Sequence, residues 1–382
     1  MSEVRLSLKD VTTNHVDTPP TGALPYLVDD ALLQVRDLRT SFRIGKEFYA
    51  AVDGVSLDVR KNEVLAIVGE SGCGKSAMAL SFAKLHNPLY TRIEGEIFFN
   101  GRNEENEVIF AGQNLVNMTE AQLNKVRGRH ISMIFQDPLT ALNPLFRVGS
   151  QIEESMIYHT NFNEAQRKAR AMHLLEAVGM VNPALTYKQL PHELSGGMRQ
   201  RAMIAVALAC KPDVIIADEP TTALDVTIQA QILDLMRAMQ RETQTAIVLI
   251  THDLGVVAEM SHRVAVMYAG QIVEIGLTNE IFKDPKHPYT RSLFASMPSV
   301  GGDKRLQSIH GIVPPLQFLP RTGCRFSPRT PWVSPHIHEE TPQYYQISPD
   351  HYVLCSCYNE FNFDGEAAFL EGLRKSVQGG RK

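Results

Sequence analysis

No stretch of this sequence is long and apolar enough to cross a bilayer. The longest near the middle, residues 202–210, falls well short of the roughly 20 residues a transmembrane helix needs. The opening residues, MSEVRLSLKDVTTNHVDTPPTG, lack the apolar centre of a secretory signal. Cysteine is scarce. Five residues, at 73, 210, 324, 355 and 357, are too few and too unevenly placed for a secreted disulfide scaffold. A basic excess is missing as well. There are 38 Lys and Arg against 42 Asp and Glu, a net charge of −4, which argues against a protein whose main task is gripping nucleic acid. Internal repeats and coiled-coil heptads are absent too. We therefore expect a chain in the cytosol, or one held at a membrane by other proteins.

What is present is ordinary globular composition, 44% hydrophobic and 21% charged over 382 residues. That suffices for two or three domains with sizeable cores. Residues 1–29 read as a polar, mobile leader, broken by Pro19, Pro20 and Gly22. From Leu32 the chain is β-rich, LLQVRDLRTSF and then VSLDV. Three short apolar runs, 63–68 (EVLAIV), 214–217 (VIIA) and 246–250 (AIVLI), have the character of parallel strands covered on both faces. Between the last two lies a helical pattern that Asp225 can cap, with Ile228, Ile232, Leu235, Met236 and Met239 on one face. Strand, helix and strand in that order make a βαβ crossover. Residues 137–195 read as helical, with one helix capped by Asn163 and stopped by Gly179. Residues 102–110 read as a polar surface insertion, and the C-terminal part, rich in Pro, His and Cys, shows little helical periodicity.

The chemistry begins where the first apolar run meets glycine. Gly69-Glu70-Ser71-Gly72-Cys73-Gly74-Lys75-Ser76 fits G-x-x-x-x-G-K-[ST]. Its backbone N–H groups can converge on phosphate oxygens, Lys75 reaches the β/γ-phosphates, and Ser76 can ligate Mg²⁺. The flanking strand and helix argue against a chance glycine turn. Asp218 ends the run at 214–217, where Mg²⁺ needs a second anchor. Glu219 follows, placed to polarise a water as a general base. Leu194-Ser195-Gly196-Gly197-Met198-Arg199-Gln200 is a second glycine-centred helix start and hence a second anion site. One nucleotide rarely needs two such loops, so the second is expected to serve the nucleotide of a partner subunit.

LSGGMRQR resembles the signature motif of the ATPase subunits of ABC transporters. The resemblance spans residues 30–290 and implies an α/β fold: a phosphate-loop (RecA-like) ATPase core with an antiparallel β subdomain and a helical subdomain at 137–195. It implies ATP and Mg²⁺ as cofactors. Gln136, in FQDP, resembles the Q-loop glutamine that senses Mg²⁺ and water. Thr222-Ala223-Leu224-Asp225 resembles the D-loop, and His252 the switch histidine that contacts the γ-phosphate. The implied Mg²⁺ set is Ser76, Gln136 and Asp218. An aromatic before the phosphate loop should stack on adenine; Tyr49 is the first choice, with Phe42 and Phe48 as alternatives, and core packing is the competing role for each. With Glu219 and His252 both present, this subunit's own site is expected to hydrolyse ATP. Cys73 sits at a helix N-terminus, where a thiol pKa tends to fall, although that position tolerates any small residue. Maleimide is expected to block ATPase activity, with ATP protecting.

The C-terminal third narrows the resemblance. Lys286-His287-Pro288-Tyr289-Thr290-Arg291, Gly311-Ile312-Val313-Pro314-Pro315-Leu316, Gly323-Cys324-x-Phe326-x-Pro328-Arg329 and His351-x-Val353-x-Cys355 resemble segments of oligopeptide and dipeptide importer ATPases, whose irregular C-terminal extension would occupy 291–382. Such an importer implies a second ATPase subunit, giving a heterodimer, two membrane permease subunits and an extracytoplasmic peptide-binding protein, with no nucleic acid. It implies a peripheral place on the cytoplasmic face of the cell membrane. A permease helix is expected against the surface after Gln136, through Leu142 to Leu145. Many relatives hold an iron–sulfur cluster on four cysteines of the extension. Here Cys324 and Cys355 remain while Thr330 and Ile337 fill the other two positions, so no standard cluster is expected; the alternative use of these residues is a zinc site of Cys324, Cys355, Cys357 and a histidine. The rival readings are the same machine with another cargo, such as nickel or a glycan, and a soluble ABC ATPase that works on ribosomes or DNA. A single phosphate loop and the lack of heptads between Ser76 and Leu194 speak against the soluble one.

Overall fold

The computed structural model describes residues 27–28, 31–101, 109–110, 112–222, 224, 226–296, 311–338 and 341–359. Apart from Leu27 and Val28, the leader expected at 1–29 lies outside them, as does most of the insertion at 102–110.

Among the described residues eleven strands form two sheets. In chain order the first six are β1 (Leu33–Ile44), β2 (Glu47–Val59), β3 (Val64–Val68), β4 (Thr91–Phe99), β5 (Ile131–Ile134) and β6 (Val214–Asp218). The rest are β7 (Ala246–Ile250), β8 (Arg263–Tyr268), β9 (Gln271–Leu277), β10 (Tyr344–Ser348) and β11 (His351–Leu354). The β-rich start of the chain is an antiparallel sheet in the order β2-β1-β4. The three apolar runs are β3, β6 and β7, central strands of a second sheet ordered β10-β11-β9-β8-β3-β7-β6-β5. Every residue of those three strands is buried, as a parallel strand with both faces covered requires.

The helix Val226–Thr243 joins β6 to the parallel β7. Its Ile232, Met236 and Met239 are buried, and Ile228 and Leu235 pack at the margin of the same core, which is the face the spacing predicted. Helices Val148–His159, Glu164–Ala177 and Pro183–Lys188 lie within residues 137–195, and the helix Gly196–Ala207 follows them. The Asn163 side chain accepts from the Gln166 N–H in a reciprocal capping box, and Gly179, at φ 73°, ends that helix in the left-handed region.

A buried arginine ties the two sheets together. Arg263 of β8 places Nη2 3.0 Å from Asp58 Oδ1 and Nη1 3.2 Å from Glu63 Oε1. Its guanidinium and both carboxylates are nearly inaccessible, so the charges are compensated by each other and not by water.

The C-terminal extension is less irregular than its sequence suggests. β10 and β11 form a hairpin that adds to the edge of the large sheet, with Tyr352 opposite Ile275 and Val353 opposite Glu274 on β9. The hairpin pairs with the sheet over few residues, and such short strands leave little periodicity to read.

Candidate nucleotide-binding and hydrolytic site

β3 delivers the chain into the phosphate loop at the C-terminal ends of the parallel strands, and the helix Lys75–Phe82 begins directly behind it. Sterics explain two of the glycines. A Cβ on Gly69 would lie 2.2 Å from the Met267 carbonyl oxygen, and one on Gly74, at φ 107°, 2.4 Å from that of Ala51. No side chain fits either gap. Lys75 Nζ donates to the carbonyls of Gly69 at 2.9 Å and Glu70 at 3.0 Å, so the ammonium lies across the loop. Ser76 Oγ donates to Asp218 Oδ1 at 3.1 Å. The hydroxyl and carboxylate expected to share a divalent cation therefore stand side by side. Burial pushes the Asp218 carboxyl above its ordinary range, and the adjacent Glu219 charge adds to this against the hydrogen bond from Ser76. A cation between Ser76 and Asp218 would relieve that penalty.

Glu219 is the point of convergence. It follows β6 in the left-handed region, at φ 47°, and its N–H donates to Ile250 O of β7 at 2.9 Å. Such a conformation in a non-glycine residue costs on the order of 1–3 kcal/mol and persists where the surroundings over-determine it. The turn aims the carboxylate back into the site. Oε2 accepts from Thr222 Oγ1 at 2.8 Å and from Gln136 Nε2 at 3.1 Å, and Oε1 lies 3.3 Å from His252 Nδ1. Burial raises the Glu219 pKa, but the hydrogen bonds from Thr222 and His252 outweigh it and hold the carboxyl below its usual range. It is anionic at neutral pH. Gln136, Glu219 and His252, predicted from three separate motifs, thus form one cluster. Thr222 was read only as part of the D-loop; a hydroxyl three residues after an acid is a weak signal on its own. Ala223 and Asp225 lie outside the described residues.

The second glycine motif divides in two. Ser195 caps the helix Gly196–Ala207 by accepting from the Met198 N–H at 3.3 Å, and Ser195 and Gly196 are exposed. Gly197 and Met198 are half-buried, as is Arg199, which donates to Leu194 O at 2.9 Å. Leu194 and Gln200 are buried and support the loop from within. Gln200 Nε2 donates to Pro220 O at 2.6 Å, bracing the residue after Glu219.

Of the three aromatics, Phe48 lies under the Arg92 guanidinium and Phe42 packs edge-on against His86. Tyr49 is half-buried on β2, two residues before the Ala51 carbonyl that abuts Gly74, and its hydroxyl donates to Glu47. Cys73 contradicts the activated-thiol expectation. It is 1% exposed, and burial pushes its pKa up despite the neighbouring Lys75. In the extension, Cys355 and Cys357 are buried together beside Ile337, and Cys357 Sγ lies 3.2 Å from His338 Nδ1. The hydrogen bond with Cys357, with burial, pushes the Cys355 thiol far up. Thr330 spends its hydroxyl on Ser327 O at 3.2 Å, and Ile337 packs on the cysteines. Among the described residues no three His, Cys, Asp or Glu side chains are grouped to hold a metal ion. The residues present do not fit a four-thiolate cluster.

Sequence comparison decides the family. Residues 52–222 match the model described as ABC transporter, and residues 273–336 the model described as Oligopeptide/dipeptide transporter, C-terminal region. The Oligopeptide transport ATP-binding protein OppD of Lactococcus lactis subsp. cremoris (strain SK11) is 46% identical over 348 residues, spanning 90% of this chain and 98% of that protein. The chain belongs to the ATP-binding proteins of oligopeptide and dipeptide ABC transporters. This ABC ATPase is also similar to the Dipeptide transport ATP-binding protein DppD of Bacillus subtilis (strain 168), at 46% identity over 79% of the chain and 87% of that protein. Among solved structures it resembles the dimeric ATP-binding cassette MJ0796 bound to ADP and Pi, at 26% identity and a TM-score of 0.56, covering 64% of this chain and 98% of that one. The family assignment supports ATPase activity coupled to transport. No helix among the described residues is long and apolar enough to cross a membrane.

Proposed function

We propose that this ABC ATPase powers the import of oligopeptides or dipeptides, bound peripherally at the cytoplasmic face of the cell membrane to two permease subunits fed by an external peptide-binding protein. The peptide cargo rests on the relatives' names and on the match of residues 273–336 to the peptide-transporter C-terminal region. The observation that carries the hydrolytic part is the convergence of Gln136, Thr222 and His252 on Glu219, beside the Ser76–Asp218 contact.

In this reading, the backbone of residues 69–76 cradles the ATP phosphates, Lys75 turns its ammonium from the loop carbonyls to the β/γ-phosphates, and Tyr49 stacks on adenine. Ser76, Asp218 and Gln136 are the residues to hold Mg²⁺, which when bound neutralises phosphate charge. Glu219 takes the proton of the attacking water, and His252 steadies both Glu219 and the γ-phosphate. Ser195, Gly196 and Gly197 act on the nucleotide of a second ATPase subunit, a different chain, and closure over ATP is transmitted to the permeases. Leu139, Leu145 and Phe146, exposed beyond Gln136, form an apolar surface suited to a permease helix.

The extension needs no standard iron–sulfur cluster: protein purified without oxygen should lack visible absorption and stoichiometric iron and sulfide, and finding them would contradict this. The function is tested by tagging the chain, solubilising native membranes gently and identifying what copurifies. Two multi-spanning proteins, a second ATPase and a peptide-binding protein are the expected result. Recovery from the soluble fraction with ribosomal or DNA-bound partners would overturn the transport role.

A further inference from the structure

Two segments of the C-terminal third meet at one residue of the phosphate loop. Tyr289, in the first turn of the helix Pro288–Ala295, is buried with its ring 4.6 Å from that of Tyr268 and 5.5 Å from that of Phe326. Its hydroxyl oxygen accepts the backbone N–H of Glu70 at 2.7 Å. Arg329, with 3% of its side chain exposed, grips the Glu70 carboxylate through both terminal nitrogens, at 2.6 and 3.2 Å. It also donates to Gly311 O at 3.1 Å and lies 5.7 Å from the Tyr268 and Phe326 rings. A two-pronged, charge-assisted contact of this kind fixes direction as well as distance.

Neither anchor floats. Glu274, wholly buried on β9, accepts the backbone N–H groups of Lys286 and His287 at 2.7 and 2.9 Å and lies 2.7 Å from His351 Nε2 on β11. His287 Nδ1 in turn accepts the Tyr289 N–H at 3.0 Å. On the other side Arg321 donates to Ala50 O at 3.0 Å, and Arg325 pairs with Asp53 and donates to Ala269 O. The extension is thus pinned to β2, whose Ala51 carbonyl abuts Gly74, and to the β8–β9 turn at Ala269, two residues past the Met267 carbonyl that abuts Gly69.

Glu70 is where these supports reach the nucleotide. Its carbonyl receives Lys75 Nζ, and it is the first residue of the turn whose later N–H groups must converge on phosphate. We infer that Tyr289 and Arg329 are positioning residues for the phosphate loop, acting through Glu70, so that the C-terminal extension is a working part of this subunit's own ATP site. Neither is placed to touch phosphate or water. Their loss should therefore weaken nucleotide binding and raise KM far more than it lowers kcat.

The inference rests on residues 69–76 being the phosphate-binding loop, and the test separates the two. In the full-length chain, MgATP affinity would be measured by displacement of a fluorescent ATP analogue, alongside KM, kcat and thermal unfolding without nucleotide. Arg329→Gln and Glu70→Ala should each raise Kd and KM about tenfold, and the double variant should be no worse than the weaker single one. Arg329→Lys should recover part of the loss, and Tyr289→Phe should raise Kd about threefold. Arg60→Gln, which breaks the pairs with Asp350 of the extension and with Asp58 away from the loop, should alter unfolding alone. Folded Arg329→Gln and Glu70→Ala proteins that bind MgATP within about twofold of wild type, or whose losses simply add, would overturn the inference. Should Arg329→Gln fail to fold, unchanged affinity in Glu70→Ala and Tyr289→Phe would overturn it equally. Wild-type chain that binds no MgATP would instead sink the assignment of the loop.

Discussion

A glutamate in the left-handed region, with its carboxylate held by three side chains, is the residue to which the proposed hydrolysis assigns the proton of the attacking water. Glu219 is anionic and already oriented, so removing its charge should affect hydrolysis and spare binding. Glu219→Gln is expected to bind MgATP with unchanged Kd and to lose about 10²–10⁴ in kcat; full turnover would refute its role as base. Cys73 carries the opposite expectation to the one its motif suggested. A helix N-terminus lowers a thiol pKa only where the thiolate is solvated, and this sulfur is packed inside the loop. At pH 7.5 maleimide should label Cys73 no faster than the protein unfolds, as followed by mass spectrometry. Rapid labelling that ATP blocks would restore the sequence-based view. Residues 69–76, 136, 218, 219 and 252 were legible because each lies in a local motif with its own chemistry. Thr222 was not, since its bond to Glu219 depends on the backbone turn between them.

The strands and helices that carry these residues were readable from period and capping: β3, β6 and β7 as unbroken apolar runs, and the helix Glu164–Ala177 from Asn163 to Gly179. The β10–β11 hairpin was not, because its strands are short and pair with β9 over few residues. What secures that edge is a polar knot of Glu274, His287 and His351, and it has a pH signature. Burial pushes the His287 pKa down to about 4; Glu274 facing it opposes the shift and Arg291 reinforces it. The unfolded value is near 6.5, so the folded state binds fewer protons between the two. The stabilisation is complete above about pH 6.5 and is lost as pH falls toward 4, on the order of 3 kcal/mol. His287→Asn replaces the capping Nδ1 with an amide oxygen that does not titrate, and should flatten the loss of thermal stability between pH 7 and pH 4.5. An unchanged slope would show that His287 is not the group that titrates.

The least legible feature is the arrangement of distant segments. Tyr289 and Arg329 were read as markers of a subfamily, and nothing in their spacing says that they reach Glu70, which precedes them by 219 and 259 residues. Ser195 and Gly196 are exposed and cap a helix, yet no residue of their own chain's phosphate loop is bonded to them. Ser195→Arg should leave MgATP affinity of the isolated chain intact and abolish ATPase activity of the assembled transporter; loss of affinity in the isolated chain would count against a site shared between subunits. The most direct test joins this ATPase to its transport role. The complex that copurifies with the chain would be placed in proteoliposomes with MgATP on the cytoplasmic side and a labelled oligopeptide with its binding protein on the other. We expect uptake that requires ATP and disappears when Glu219 is replaced by Gln. ATP turnover with no peptide movement, or uptake that survives Glu219→Gln, would contradict it.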